Sequence, residues 1–485
     1  MSLPAGPGAV AVKGGEGRGA APGRARGAGA LEGAGVPGGG MRRNALHSLA
    51  LKLGYTALTI GTAALMARLM GPDGYGVYAF VFAGASLLAM PLQLGVPTLV
   101  VRQTSAYEAQ GRWDLVRGLF RRADRGLLAF GLALAVVALA ALPFIPETPG
   151  SGMRQTVLWS LLLVPAVALG NTRGAALRGL HAVGAGLLPE QLIRPAAFLL
   201  LAAAAALLVP GGLTAPVATA SHVAAALVAL AAASWMLRRR LPAGYHSAAP
   251  AYDDRGWLRS VGPLSLLAGV QACIQHFDVF VLGLFASTED VALYRVALQG
   301  ATLVAFTLNA TNVALGPQIA RLYTRGDMDG LQRILTRTSR VALATALVPV
   351  ALFVGAGREL LSAVFGAGYA PAYAALVIVA VGELANVAAG SVGLALNMTG
   401  HERDALRGLG AAAAVNVALN LLLIPRFGME GAAVSMALGL VAWNVLLSVF
   451  LYRRTGLVAF AFAPRALLRR RPTAAALSTE SPPEP

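Results

Sequence analysis

Residues 111–128 read GRWDLVRGLFRRADRGLL, and residues 326–343 read GDMDGLQRILTRTSRVAL. Each is an arginine-rich connection that runs straight into a long apolar stretch. At an offset of 215, Gly111, Asp114, Arg122 and Arg125 fall on Gly326, Asp329, Arg337 and Arg340. Tyr78 falls on Tyr294 at an offset of 216, and His181 on His401 at 220. These matches keep one order, with the small drift that loop insertions produce, and indicate an internal repeat.

Outward from these connections the chain is apolar. Of its 485 residues 56% are hydrophobic and 13% charged, and 57 are glycine. Soluble domains carry about 25% charged residues, so a soluble globule is excluded. A disordered chain needs low hydrophobicity and is excluded too. The single Cys273 rules out a disulfide scaffold. Apolar segments recur at 45–67, 75–100, 126–143, 156–176, 187–209, 216–237, 258–285, 291–318, 340–356, 371–396, 406–424 and 430–452. Each can cross roughly 30 Å of hydrocarbon at about 1.5 Å per residue. The expectation is an all-α integral membrane protein with twelve transmembrane helices in two six-helix lobes. Six is even, so the lobes enter the membrane in the same sense and are related by a parallel pseudo-two-fold along its normal.

The net charge of +17 sorts by connection. Of 39 basic residues, 32 lie in the tails and even-numbered connections, against five (Arg68, Arg154, Arg295, Arg358 and Arg426) in the odd ones. This alternation puts both termini in the cytoplasm and suits anionic membrane lipids. No nucleic-acid partner is needed to explain it. The domain reading is a disordered cytoplasmic tail or an over-early start over 1–40, then an N-lobe over 41–240. A cytoplasmic linker over 241–257 leads to a C-lobe over 258–455 and an Arg/Pro-rich cytoplasmic tail over 456–485.

Four charges fall inside spans: Lys52, Arg194, Asp278 and Glu383. Facing lipid, each costs about 2.5–3.5 kcal/mol on insertion scales, so a cavity or a partner is expected. In the first span Ser48, Lys52, Thr56, Thr59 and Thr62 recur at intervals of three and four, one helix face. In the seventh, Gln271, Gln275 and Asp278 do the same. Glu383, Asn386, Gly390, Gly393 and Asn397 line one face of the tenth span, while Asn309 and Asn312 sit together on the eighth. The cations Lys52 and Arg194, with Thr56, Gln271, Gln275, Asn309 and Asn312, are candidates for substrate binding, since a guanidinium meets a phosphate bidentately. Asp278, Glu383 and Asn386 are candidates for ion coupling or gating. The competing readings are snorkelling of Lys52, pairing of Arg194 with Glu190, interfacial exposure of Asp278 and a protonated, hydrogen-bonded Glu383. His222 and His276 read as interior histidines, and Pro189 and Pro195 as kinks in the fifth span.

The turn from Arg68 to Tyr78, RLMGPDGYGVY, resembles the R-x-L-G-P-[ED]-x-Y-G-x-Y turn of bacterial polysaccharide biosynthesis proteins of the Wzx type. These are lipid-linked oligosaccharide flippases of the MATE-like multidrug/oligosaccharidyl-lipid/polysaccharide exporter superfamily. Gly95-Val-Pro, Leu282-Gly283, Pro317 with Ile319, Phe365-Gly366 with Tyr369 and Asn397 to Glu402 resemble further family patterns in register. So do Asn420, Ile424-Pro425, Gly428 and Gly431. The resemblance spans about residues 42–452. It implies a MATE-like pair of lobes around a cavity that opens alternately to each side. The implied cargo is an oligosaccharide on polyprenyl pyrophosphate, moved from the cytoplasmic to the outer leaflet of a bacterial cytoplasmic membrane. The implied partners are a polysaccharide polymerase and glycosyltransferases, and no cofactor is implied. A MATE-type ion-coupled drug antiporter shares the fold, but would favour an acidic cavity that Lys52 and Arg194 offset. A polytopic glycosyltransferase or ligase needs large outward loops. Here the longest are 144–155 and 357–370, with no metal-ligand spacing, Gly-rich phosphate loop or Ser/His/Asp arrangement.

Overall fold

A computed structural model describes the backbone of residues 38–93, 95–145 and 150–462. The expected tails outside these limits, before residue 38 and after residue 462, lie outside the described residues. Contacts divide the chain between Leu46 and His47, and the packing described below belongs to the larger unit. Among the described residues all regular structure is helical. In order come α1 (Gly38–Gln93), α2 (Gly95–Ala109), α3 (Trp113–Ala141), α4 (Met153–Gly179) and α5 (Val183–Leu188). After a π turn at Pro189–Ile193 come α6 (Arg194–Leu208), α7 (Ala215–Arg240), the short α8 (Ala243–Ser247) and α9 (Asp254–Phe285). They are followed by α10 (Thr288–Thr324), α11 (Met328–Phe365), α12 (Tyr373–Ala389), α13 (Val392–Met398) and α14 (Glu402–Thr455).

Nine stretches among the described residues are long and apolar enough to cross a membrane, from Leu53–Ala89 to Glu402–Thr455, and Cys273–Phe285 is a shorter apolar helix. The chain is an all-α, multi-pass membrane protein. Two of the long stretches are broken where glycine permits it. Gly71 sits at φ 67°, ψ 178° inside α1, and Gly428 at φ 55°, ψ −129° inside α14. Only glycine enters these regions without strain, so each is the point at which the helix stops and a second one begins.

The two arginine-rich connections fold identically. Gly111 and Gly326 both take positive φ, 68° and 71°. The Arg112 N–H donates to Tyr107 O and the Trp113 N–H to Gly111 O, while the Asp327 N–H donates to Leu322 O and the Met328 N–H to Gly326 O. A second pair of turns matches as well: the Ala182 N–H donates to Leu177 O, and the His401 N–H to Leu396 O. By geometry it is His181 (φ 59°) and Gly400 (φ 80°) that correspond, one residue off the sequence pairing of His181 with His401.

Apolar packing is arranged in three main bodies. One continuous core joins both breaks of the chain: Met66, Tyr75 and Tyr78 of α1 pack with Leu282, Tyr294, Phe353, Tyr369, Leu376 and Met429. At this end the Gly71 turn is clamped to the later helices. The Arg68 guanidinium donates to Val364 O at 2.8 Å and also to Ala363 O. The Tyr369 hydroxyl donates to Ala67 O at 3.2 Å. Gly76 lies directly against the Thr288 carbonyl, leaving no room for a Cβ. Away from that end the core divides. Val100, Leu119, Leu177 and Leu237 form one cluster with Trp257 of α9. Leu315, Leu331, Leu335, Leu396 and Leu447 form another.

Residues 456–462, which composition assigns to a tail, pack as an extended strap. Gln332 brackets Val458, donating to its carbonyl at 2.6 Å and accepting from its N–H at 2.9 Å. Arg340 Nε donates to Ala461 O, and the Ala461 N–H donates to Ala388 O, both at 2.9 Å. Leu457, Ala459 and Ala461 are buried. The strap thus fastens α11 to the end of α12, where Gly390 (φ 78°) interrupts the run into α13.

Candidate functional site

Arg194 is positioned by a local irregularity. Pro189 lacks an N–H and Pro195 removes another, so the helix cannot continue regularly between α5 and α6. It widens into the π turn at Pro189–Ile193, a feature frequent at functional sites. Arg194 follows at once and lines a small void with Glu190, Asn171, Pro189 and Gly186, closed by Ala166 of α4 and Ala226 of α7. Arg194 and Glu190 form no ion pair or hydrogen bond with each other or with any other described residue. The guanidinium is half-buried beside an aromatic cluster. Phe198 stacks on His222 at 4.3 Å, and the Tyr78 hydroxyl is 2.9 Å from His222 Nδ1. Phe82 contacts both His222 and, edge-on at 6.1 Å, His276 of α9. His222 is buried, as its sequence context indicated, whereas His276 is only half-buried, and the two bridge α7 and α9 through Phe82.

The polar residues of the later helices are brought into three groups. Asp278 is 4% exposed and accepts from the Tyr294 hydroxyl at 2.6 Å and from the Val279 N–H at 2.8 Å. It is an interior carboxyl tied to α10 and not an interfacial one. Glu383 is also buried. The Asn386 amide donates to Glu383 Oε2 at 3.0 Å, and the Asn444 amide donates to Asn386 Oδ1 at 2.8 Å. Glu383, Asn386 and Asn444 thus form a chain across α12 and α14. Asn312 accepts from the Ser391 hydroxyl at the α12–α13 interruption.

The other candidates are dispersed. Thr56 is half-buried, whereas Gln275 and Asn309 are exposed. The side chains of Lys52 and Gln271 lie outside the described residues. Sequence reasoning passed over Tyr294 as a partner of Asp278 and Asn444 as a partner of Asn386. Tyr294 carried a signal, being a repeat match, but Asn444 stood alone in an apolar span.

The Asp278–Tyr294 bond has a measurable consequence. Tyr294→Phe leaves a buried carboxyl without its hydroxyl donor, a loss of about 1–3 kcal/mol. A thermal-shift measurement in detergent should give a clearly lowered melting temperature. An unchanged one would mean that Asp278 does not depend on this bond.

Known proteins share parts of this sequence and this fold. Residues 41–323 match the family described as "Polysaccharide biosynthesis protein". The probable flippase AglR of Haloferax volcanii is 28% identical over 194 residues, 39% of this chain and 39% of that protein. The chain thus spans about two-fifths of the length of the curated relatives it matches. Among solved structures, an inward-facing multidrug resistance MATE transporter of the MOP superfamily superposes with a TM-score of 0.65 at 14% identity. The match covers 82% of this chain and 94% of that one. The lipid II flippase MurJ, in an inward closed conformation, gives 0.60 at 10% identity, with 83% and 86% covered. At such identities these structures speak for the fold alone: an all-α membrane fold.

Proposed function

The chain belongs to the polysaccharide biosynthesis protein family, and on that premise we propose that it is a membrane flippase whose cargo is a polyprenyl-pyrophosphate-linked oligosaccharide. The cargo moves from the cytoplasmic to the outer leaflet of a bacterial cytoplasmic membrane, with both termini in the cytoplasm. The observation that carries this reading is Arg194, a guanidinium at membrane depth with no ion pair among the described residues. A diphosphate can be met there by a planar, bidentate donor that never deprotonates. Lys52 supplies a second cation on the first span, and Thr56, Gln271, Gln275, Asn309 and Asn312 supply neutral contacts to the cargo. Asp278, Glu383 and Asn386 serve coupling or gating.

Splitting the two broken stretches at Gly71 and Gly428 and adding α9 supports twelve crossings in two six-helix lobes, 41–240 and 258–455, joined by 241–257. The matching turns at Gly111 and Gly326 support their parallel relation. With basic connections inside, the shared core lies at the outer end and the divided cores at the cytoplasmic end. That arrangement suits an inward-facing state.

Proteoliposomes loaded with a labelled polyprenyl-pyrophosphate oligosaccharide test the reading. Translocation is expected, and a cationic drug is not expected to compete. Drug efflux without glycolipid translocation would replace it with the antiporter reading.

A further inference from the structure

The start of α11 carries a feature that cargo transport does not use. Arg333, Arg337 and Arg340 occupy adjoining positions on one exposed side of the helix and line an open cleft of about 720 Å³ with Thr336 and Val341. None of the three makes an ion pair among the described residues. Arg333 Nε donates to Asp329 O at 3.2 Å and Arg340 Nε to Ala461 O at 2.9 Å, both backbone carbonyls. Arg337 makes no hydrogen bond among the described residues.

The next turns of the helix identify the neighbour. Residues 341–357 contain no charge, so Arg340 stands at the boundary between the headgroup layer and hydrocarbon. Arg333 lies about 10 Å further out, at about 1.5 Å per residue. The side that bears Arg333 and Arg337 continues through Val341, Val348 and Leu352, all exposed. A basic lower part and an apolar upper part on one helix side match a phosphate with an acyl chain above it.

We propose that this side of α11 is a binding site for an anionic phospholipid of the surrounding bilayer. Its phosphate is held by Arg333, Arg337 and Arg340, and its acyl chain runs along Val341, Val348 and Leu352. Because Arg340 also holds Ala461, an occupied site sits against the strap that fastens α11 to α12. The assignment rests on the membrane boundary and not on the nature of the cargo, so its test needs no transport.

The full chain, in phosphatidylcholine nanodiscs, is titrated with phosphatidylglycerol, and bound lipid is counted by native mass spectrometry. Phosphatidylglycerol is expected to be retained over phosphatidylcholine. Arg337→Gln is expected to weaken retention about fivefold, and neutralising all three arginines on the order of a hundredfold, at about one unit of surface attraction per arginine. Arg121→Gln, exposed on α3 and outside the cleft, is the control for diffuse surface attraction and should weaken retention less than Arg337→Gln. Arg337 makes no hydrogen bond or ion pair among the described residues, so its single variant remains informative if the triple variant fails to fold. Equal retention by wild type and Arg337→Gln overturns the site, as does equal retention of both lipids. Displacement of phosphatidylglycerol by a polyprenyl pyrophosphate at one-to-one stoichiometry overturns it in favour of the cargo as occupant.

Discussion

Replacing Arg194 with alanine is expected to lower transport of a polyprenyl-pyrophosphate oligosaccharide by about tenfold or more, and the Arg194→Ala, Lys52→Ala double variant to abolish it. A hydrogen bond to a charged group contributes about 1.5–3 kcal/mol, and each 1.4 kcal/mol is a factor of about ten. A bidentate contact to a diphosphate therefore accounts for at least that loss. Arg194 lines a small void with Glu190 but forms no pair with it, so its removal breaks no ion pair among the described residues. Insertion and melting temperature are accordingly expected to hold. Arg194→Lys separates charge from geometry: it keeps the cation and loses the planar fork, and an intermediate rate is expected. Glycolipid flux measured in proteoliposomes decides the matter. Normal flux in both single variants and in the double variant would remove any diphosphate role for these cations.

A second large effect is expected at Gly76. A Cβ there runs into the Thr288 carbonyl, a backbone atom that no rotamer change can move aside. Gly76→Val must therefore separate the second part of α1 from the start of α10, at the end where the Arg68 clamp and the shared core join the early and late helices. The Asp73 and Thr288 side chains are 3.5 Å apart. In a Cys273→Ser background, an Asp73→Cys, Thr288→Cys pair is expected to cross-link efficiently. Adding Gly76→Val is expected to cut that yield by about tenfold, since a disulfide needs Cα atoms within about 7 Å. Transport falls with it if closure of this end is part of the cycle. An unchanged cross-link yield would show that the junction absorbs the side chain, and that close packing at Gly76 is not what holds this end shut.

Both expectations draw on features legible in the sequence to different degrees. The Arg68–Tyr78 turn announces a helix break by its Gly71-Pro72-Asp73-Gly74 chemistry, and the break is found there. That Arg68 reaches Val364 and Ala363, almost three hundred residues away, is not a local property. Pro189 and Pro195 announce an irregular fifth span. The π turn, and the absence of a Glu190 pair, depend on how α4 and α7 close over it. Asp278 looked interfacial by depth alone, and its burial follows from the approach of Tyr294. The strap at 456–462 carries no periodicity. Its burial depends on Gln332, Arg340 and the Ala388 carbonyl, none of which neighbours it in the chain.

The arginine-rich connections at 111–128 and 326–343 carry the part of this protein that is written in one dimension. Span length, the alternation of charge between connections and the repeated turn all arise from interactions between near neighbours, or between the chain and the bilayer. A bilayer acts on each segment separately, so composition and period suffice to read them. Tertiary packing settles the rest: which polar group meets which, where the shared core ends and the divided cores begin, and why one arginine is engaged while another is not. Those outcomes depend on side chains brought together from distant spans, where burial makes an unpaired group costly and forces partners that no local pattern encodes.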